Sequence, residues 1–187
     1  MDSSIRPALP CEANDILELG KRVLSALASH GQENEIAPLV TETVESAILQ
    51  CRVFVYVSTG AVVGCAFVKP VEVLERLYPE PRQAGLISKI SVAGATPLVY
   101  LHSIMVEPTQ QGNKIGSRLV THVCDVAREH HLAKTIILDC FATNERLRRF
   151  YESLDFCLLD VVPEMTWEIA VFVLRPILNT RIDHIIT

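Results

Sequence analysis

No run in this chain approaches the roughly 18 consecutive apolar residues that a membrane-spanning helix requires, so no membrane partner is expected. The opening stretch, MDSSIRPALPCEAND, lacks the apolar core of a secretion signal, and a cytoplasmic location is expected. Basic charge is short as well. Lys and Arg number 17 against 22 Asp and Glu, a net charge of −5, which argues against a general nucleic-acid surface. The six cysteines (Cys11, Cys51, Cys65, Cys124, Cys140, Cys157) contain no C-x-x-C pair. Reduced thiols at apolar positions are therefore expected, with neither a disulfide framework nor a metal site. There is no internal repeat, low-complexity tract or linker, so residues 1–187 are expected to form one domain around a single core. Apolar residues at 49% and charged residues at 21% fit a globular chain and not a disordered one.

The residues that are present are patterned. Residues 5–10 suit a short first strand limited by Pro7 and Pro10. Asn14 or Asp15 is expected to cap a helix that turns Ile16, Leu19, Val23 and Leu27 inward and ends at Gly31. Pro38 suits the first turn of a second helix reaching about Gln50, with Val40, Val44 and Ile48 inward. Residues 52–58 and 61–71 read as a hairpin turning at Thr59-Gly60. Residues 72–97 hold Pro79, Pro81, Gly85, Gly94 and Pro97 without a sustained period, and read as a long loop with a helical turn near 73–77. Long ordered loops often carry function, so this one is a candidate wall of a site. Residues 165–174 read as a strand with Trp167, Ile169, Val171 and Val173 on one face. The apolar tail, residues 182–187, is expected to add a strand or meet a partner chain, as monomer or homodimer. The expected element order is βααβββαβαββ.

Two stretches carry chemistry. In the first, Val99, Leu101, Ser103 and Met105 alternate with Tyr100, His102, Ile104 and Val106, the pattern of a strand that Pro108 closes. After Gly116, the residues Leu119, Val120, Val123, Cys124 and Ala127 share one helical face. Between strand and helix lies Gln110-Gln111-Gly112-Asn113-Lys114-Ile115-Gly116. Such a turn offers unpaired N–H groups and the positive end of the helix dipole, which suits a phosphate. Taken alone, it reads equally as a plain helix cap. In the second stretch, a strand over residues 135–139 precedes a helix led by Asn144, with Leu147, Phe150, Tyr151 and Leu154 on one face and Phe156 beyond.

The order and spacing of these stretches, over roughly residues 99–160, resemble the GNAT superfamily of acyl-CoA-dependent N-acetyltransferases. The turn resembles the family's Arg/Gln-x-x-Gly-x-Gly/Ala through Gln111, Gly112, Asn113, Lys114, Ile115 and Gly116. The helix resembles Asn-x-x-Ala-x-x-Leu/Phe-Tyr-x-x-x-Gly-Phe through Asn144, Leu147, Phe150, Tyr151 and Phe156. Two positions depart from the pattern. Lys114 stands where the family usually has glycine, and either limits the approach of a pyrophosphate or adds a cation beside it. Asp155 stands where glycine precedes Phe, and is expected in the left-handed region that Asp tolerates.

The resemblance implies an α/β GNAT fold, with a mixed and partly splayed central sheet flanked by helices. It also implies acetyl-CoA as cosubstrate without a metal. It places the pantetheine arm along Ile104, Met105 and Val106, with Asn144 hydrogen-bonded to it. The pyrophosphate falls to the N–H groups of Gln111 to Gly116 together with Ser117. Arg148, in the basic run of Arg146, Arg148 and Arg149, is expected to face the cosubstrate's phosphates. Tyr151 matches the general acid for the departing thiolate. Leu101-His102-Ser103-Ile104 resembles the histidine-bearing strand of the arylalkylamine and polyamine branch, which implies His102 as base. The residue types by themselves leave open that Tyr151 is a core residue with a satisfied hydroxyl and His102 a packed structural histidine. His130 and His131 read as helix-end residues. Glu33, Glu35, Glu75 and Glu80 read as loop acids that either flank an acceptor pocket or are solvated. The expected activity is transfer of acetyl from acetyl-CoA to a primary amine of a small molecule, by direct attack in a ternary complex. The alternatives are a protein or peptide N-acetyltransferase, whose groove the loop over residues 72–97 would tend to close, and a non-catalytic acyl-CoA-binding module.

Overall fold

The computed structural model describes residues 3–31, 36–72, 77, 86, 89, 97–130, 133–164 and 167–174. Its elements are β1 (Ser3–Pro7), α1 (Ala13–Ala28), α2 (Thr41–Leu49), β2 (Val53–Ser58), β3 (Ala61–Val71) and β4 (Leu98–Val106). They continue with α3 (Ile115–Glu129), β5 (Thr135–Phe141), α4 (Glu145–Glu152), β6 (Phe156–Glu164) and β7 (Trp167–Leu174). This is the expected order. The strands form one seven-stranded sheet, β1-β2-β3-β4-β5-β7-β6, antiparallel throughout except where β4 runs parallel to β5. The α3 and α4 helices cover one face, joining Leu119, Val123 and Tyr151 to Leu101, Leu138 and Phe172. On the other face α1 and α2 pack Ile16, Leu19 and Val44 over Val53, Val55 and Phe67. Leu86 is fully buried in a third cluster with Ile137 and Val171. Among the described residues no helix is long and apolar enough to cross a membrane.

Several boundaries differ from expectation. The α1 helix starts at Ala13, not at a cap from Asn14 or Asp15, because Pro10 opens a 3-10 turn over Pro10–Glu12 that runs straight into it. The α2 helix starts at Thr41, not Pro38: Val40 is extended and 55% exposed, while Leu39 packs against the bare backbone of Gly20 on α1. The first strand is Ser3–Pro7, shifted toward the N-terminus from 5–10. The β2–β3 turn falls at Thr59-Gly60 as expected, with φ of +49 and +82, and both strands bury side chains on their two faces. Trp167 opens β7 exposed, whereas Ile169, Val171 and Val173 share the third cluster. Cys11 and Cys51 are exposed, and Cys65, Cys124 and Cys140 are buried. The loop over residues 73–96 and the tail over 182–187 lie outside the described residues, apart from 77, 86 and 89.

The largest correction concerns β4. Its pairing with β3 runs through Phe67↔His102 and resumes at Cys65↔Met105, so Ser103 and Ile104 together oppose Ala66. Ser103 adopts φ +47 to form this bulge. The alternation therefore slips by one residue. Val99 and Leu101 face α3 before the bulge, Ile104 and Val106 face it after, and Met105 turns toward α1. The β4–β5 ladder holds only Leu98↔Thr135, Val99↔Ile136 and Tyr100↔Ile137, after which β5 stays with β7. The sheet thus forks, leaving the β5-side edge of β4 from Ile104 to Val106 unpaired in the ladder.

One part-buried ion pair joins β1 to the entry of α1. Arg6 donates to both carboxylate oxygens of Glu12 at 2.8 and 2.7 Å, and the Leu9 N–H donates to Oε2 at 2.7 Å. Arg6 holds the Glu12 carboxyl below its ordinary range, and Leu9 adds to that against the opposing effect of burial. A carboxyl depressed in the fold contributes stability above its unfolded pKa and loses it as pH falls through the folded one. Glu12→Gln is expected to cost about 1–2 kcal/mol at pH 7, a range discounted for the partial exposure of Arg6. In urea titrations the gap should close as pH falls below about 4. A gap independent of pH would refute the ion-pair account.

Candidate active site

The fork opens into a cleft of about 590 Å³. Its floor is Ile104, Met105 and Val106 of β4, and one end is the turn leading into α3. Opposite stands the α4 face carrying Asn144, Leu147, Phe150 and Tyr151. Val23 and Leu27 of α1, with Ile36, make an apolar wall. Arg22 on α1 pairs with Glu107 at the end of β4 at 2.8 Å, fixing that wall against the turn.

The turn is built to expose donors. Gly112 adopts φ +86, with open space where a Cβ would point. Lys114, the residue before α3, adopts φ +60, a conformation that costs an L residue about 1–2 kcal/mol. No side chain caps the start of α3, and its first turn holds no acidic residue. The leading N–H groups of Ile115, Gly116 and Ser117 have no intrahelical acceptor and sit at the positive end of the dipole. Ser117 donates its hydroxyl to the Lys114 carbonyl at 2.9 Å, and Gln111 Nε2 donates to the Val106 carbonyl at 3.4 Å. Gly116 lies between Phe150 and Val106, and a Cβ there would meet them at 3.5 and 3.6 Å, ordinary contact. Packing alone does not demand glycine there.

The α4 helix is held by its own cap. Asn144 Oδ1 accepts the Leu147 N–H at 2.9 Å, which orients the residue at the cleft wall. Two turns on, Tyr151 reaches the cleft from a nest of rings, with Phe150, Phe156 and Phe172 at centroid distances of 5.4, 6.1 and 5.9 Å. Burial pushes its phenol far above the ordinary value, with Cys140 and Asp139 adding to the effect. It is a protonated donor at every working pH. After α4, Asp155 adopts φ +64, the expected left-handed conformation.

Not every expected site residue meets here. Ile104, Met105, Val106, Gln111, Gly112, Lys114, Ile115, Gly116, Ser117, Asn144 and Tyr151 line the cleft; Asn113, Arg148 and His102 do not. Arg148 turns its Nη1 to the Ala142 carbonyl at 3.1 Å, and Arg146 lines the cleft instead. Helical spacing does not give this assignment, since position 148 lies nearer the 144/147/151 face than 146 does. His102 stacks on Tyr100 at 5.2 Å, lies 5.6 Å from Phe67, and contacts Ser103 Oγ through Nδ1 at 3.1 Å. Burial, then the nearby Lys69 charge, lowers its pKa to about 4. His130 stands at the C-terminal end of α3. His131 and Glu33, Glu35, Glu75 and Glu80 lie outside the described residues.

Comparison with known proteins agrees with this geometry. The model of the acetyltransferase (GNAT) family matches residues 23–156. A glucosamine 6-phosphate N-acetyltransferase from Trypanosoma brucei brucei is 27% identical over 155 residues, 76% of this chain and 91% of its own. A GNAT-family acetyltransferase from Listeria monocytogenes superposes with a TM-score of 0.69 at 18% identity, covering 91% of this chain and 93% of that one. The yncA protein of Salmonella typhimurium, solved with its cofactor acetyl-CoA, has a TM-score of 0.66 at 17% identity, covering 94% of each chain.

The packing of His102 has a direct readout. Its imidazole should titrate by NMR with a midpoint near 4. A midpoint near the ordinary ~6.5 would mean that the ring is solvated and free to exchange protons near neutrality.

Proposed function

The chain belongs to the GNAT family of acetyltransferases, enzymes that use acetyl-CoA, and on that premise we propose that it acetylates the primary amine of a small molecule by direct attack in a ternary complex. The observation that carries the reading is the convergence of three parts on one cleft: the unpaired edge of β4, the uncapped turn before α3, and Tyr151. In this reading the pantetheine arm completes the interrupted ladder along Ile104 to Val106. The N–H groups of Gly112, Lys114, Ile115 and Gly116, with Ser117, cradle the pyrophosphate, those of Gln111 and Asn113 being turned to the Pro108 and Gln110 carbonyls, and Asn144 holds the arm from the α4 side. An N–H of β4 polarises the thioester carbonyl as the amine attacks.

Tyr151 then gives its proton to the departing thiolate. A buried phenol is a weak acid, but burial strengthens the thiolate as a base in the same measure. Burial acts in the same direction on the protein's own thiols, pushing Cys65 and Cys124 up to about 12. No cysteine is among the described residues that line the cleft, which supports direct attack over a covalent enzyme intermediate. In this reading His102, packed against Tyr100 and Phe67 away from the cleft lining, does not serve as the base. The amine instead enters from its uncharged fraction or loses its proton to water. The glucosamine 6-phosphate named for the trypanosomal relative supports a small acceptor and is the first to try.

Thiol release from acetyl-CoA should depend on an added amine, with glucosamine 6-phosphate tested beside polyamines, arylalkylamines and short peptides. Tyr151→Phe is expected to lower kcat about 100-fold or more, with much less change in the calorimetric Kd for acetyl-CoA. Unchanged turnover would remove Tyr151 from the acid role, and turnover confined to peptides would overturn the small-molecule reading.

A further inference from the structure

The fork has a second mouth, on the sheet face away from α3 and α4. Ile137 and Val171 of that face belong to the third cluster, whereas their neighbours Leu138 and Phe172 face the helices. Phe141 has the parity of Ile137, and its ring meets Trp167 at a centroid distance of 5.6 Å and an angle of 45°. Carried on at the register of Leu98↔Thr135, β5 sets Phe141 across the fork from Ile104, where the unpaired edge of β4 begins. The ring pair is tied to the cleft wall. The Phe141 carbonyl accepts the Asn144 N–H at 3.0 Å, and the Ala142 N–H donates to the Glu168 carbonyl at 2.9 Å. On the β4 prong Tyr100 packs with the third cluster and stacks on His102 at an angle of 13°, so rings stand on both prongs. The indole of Trp167 is 37% exposed and presents a flat apolar face beside this mouth.

We propose that Trp167, backed by Phe141, is the platform on which the body of the acceptor lies, and that the acceptor is a ring-bodied primary amine. The inference rests on the acetyl-transfer reading and narrows its substrate class. In that reading Asn144 and Tyr151 occupy the α4 side of the thioester, so the amine reaches the carbonyl from the other face, where the rings stand. A hexosamine and an arylalkylamine share the chemistry that fits: a flat, stiff face that covers the indole with few torsions to freeze. A linear polyamine covers the same indole only by freezing many torsions.

Trp167 is its own reporter, since it is the chain's single tryptophan. With CoA saturating, glucosamine 6-phosphate, phenethylamine and putrescine are each titrated against its fluorescence. A saturable change is expected with at least one of the two ring amines and none with putrescine. The ring that binds more tightly tells a sugar acceptor from an arene. Trp167→Ala is expected to raise the KM of the responding amine about tenfold, with far less change in kcat and in the calorimetric Kd for acetyl-CoA. Trp167→Phe keeps a ring at the mouth and should recover most of that loss. No response to either ring amine, an equal response to putrescine, or an unaltered KM in Trp167→Ala would each overturn the inference while acetyl-CoA binding stands. A matching loss of acetyl-CoA affinity in Trp167→Ala would also overturn it, because the fork itself would then have shifted. If the wild type fails to bind acetyl-CoA, the cosubstrate reading falls first and this inference falls with it.

Discussion

Ser103 and Ile104 together oppose Ala66, and the backbone of Ser103 enters the left-handed region to allow that two-to-one match. The rest of the site follows from this irregularity. A strand that continued in phase would put Met105 on the α3 face and Ile104 and Val106 on the α1 face; the bulge exchanges them. It bends β4 just beyond its last pairing with β5, at Tyr100↔Ile137. Backbone polar groups without a ladder partner then edge a cleft, where an extended ligand can complete the missing hydrogen bonds. The Tyr100 hydroxyl spans the two prongs at the fork, donating to Asp139 Oδ1 at 3.0 Å.

Burial sets the protonation of the core around the fork. It keeps the Tyr151 and Tyr100 phenols protonated, holds the Cys65 and Cys124 thiols near 12, and leaves His102 neutral with a pKa of about 4. One cause, the cost of a charge in an apolar setting, acts on acids and bases in opposite directions. The outcome is a site with hydrogen-bond donors and hardly any ionised group on its floor. Among the described residues that line the cleft, only Lys114 and Arg146, at its rim, are charged. This division suits a ligand whose phosphates are outside and whose reacting carbonyl is inside.

Much of this was legible before any coordinates. The β2–β3 turn, the buried stripe of α3 and the Asn144-led helix all lie where pattern and spacing put them, because each rests on residues near in sequence. The α1 start differs from the sequence reading because Pro10 opens a 3-10 turn that runs into it, and the α2 start because Leu39 packs against Gly20 on α1. Arg146 and Arg148 look alike as sequence, and only the rotation of α4 against the fork separates the cleft residue from the one turned to Ala142.

By itself the sequence determined the element order, the donor-rich turn before α3 and the family, since these follow from hydrophobic period, Gly and Pro placement, and two spaced motifs. The tertiary structure alone decided where β4 breaks phase, which residues meet across the fork, and that His102 lies packed between Tyr100 and Phe67 outside the cleft. The reason is physical. A bulge is defined by the partner strand it fails to match, and the basicity of a histidine is set by the neighbours that desolvate it. Neither is a property of the residue's own segment.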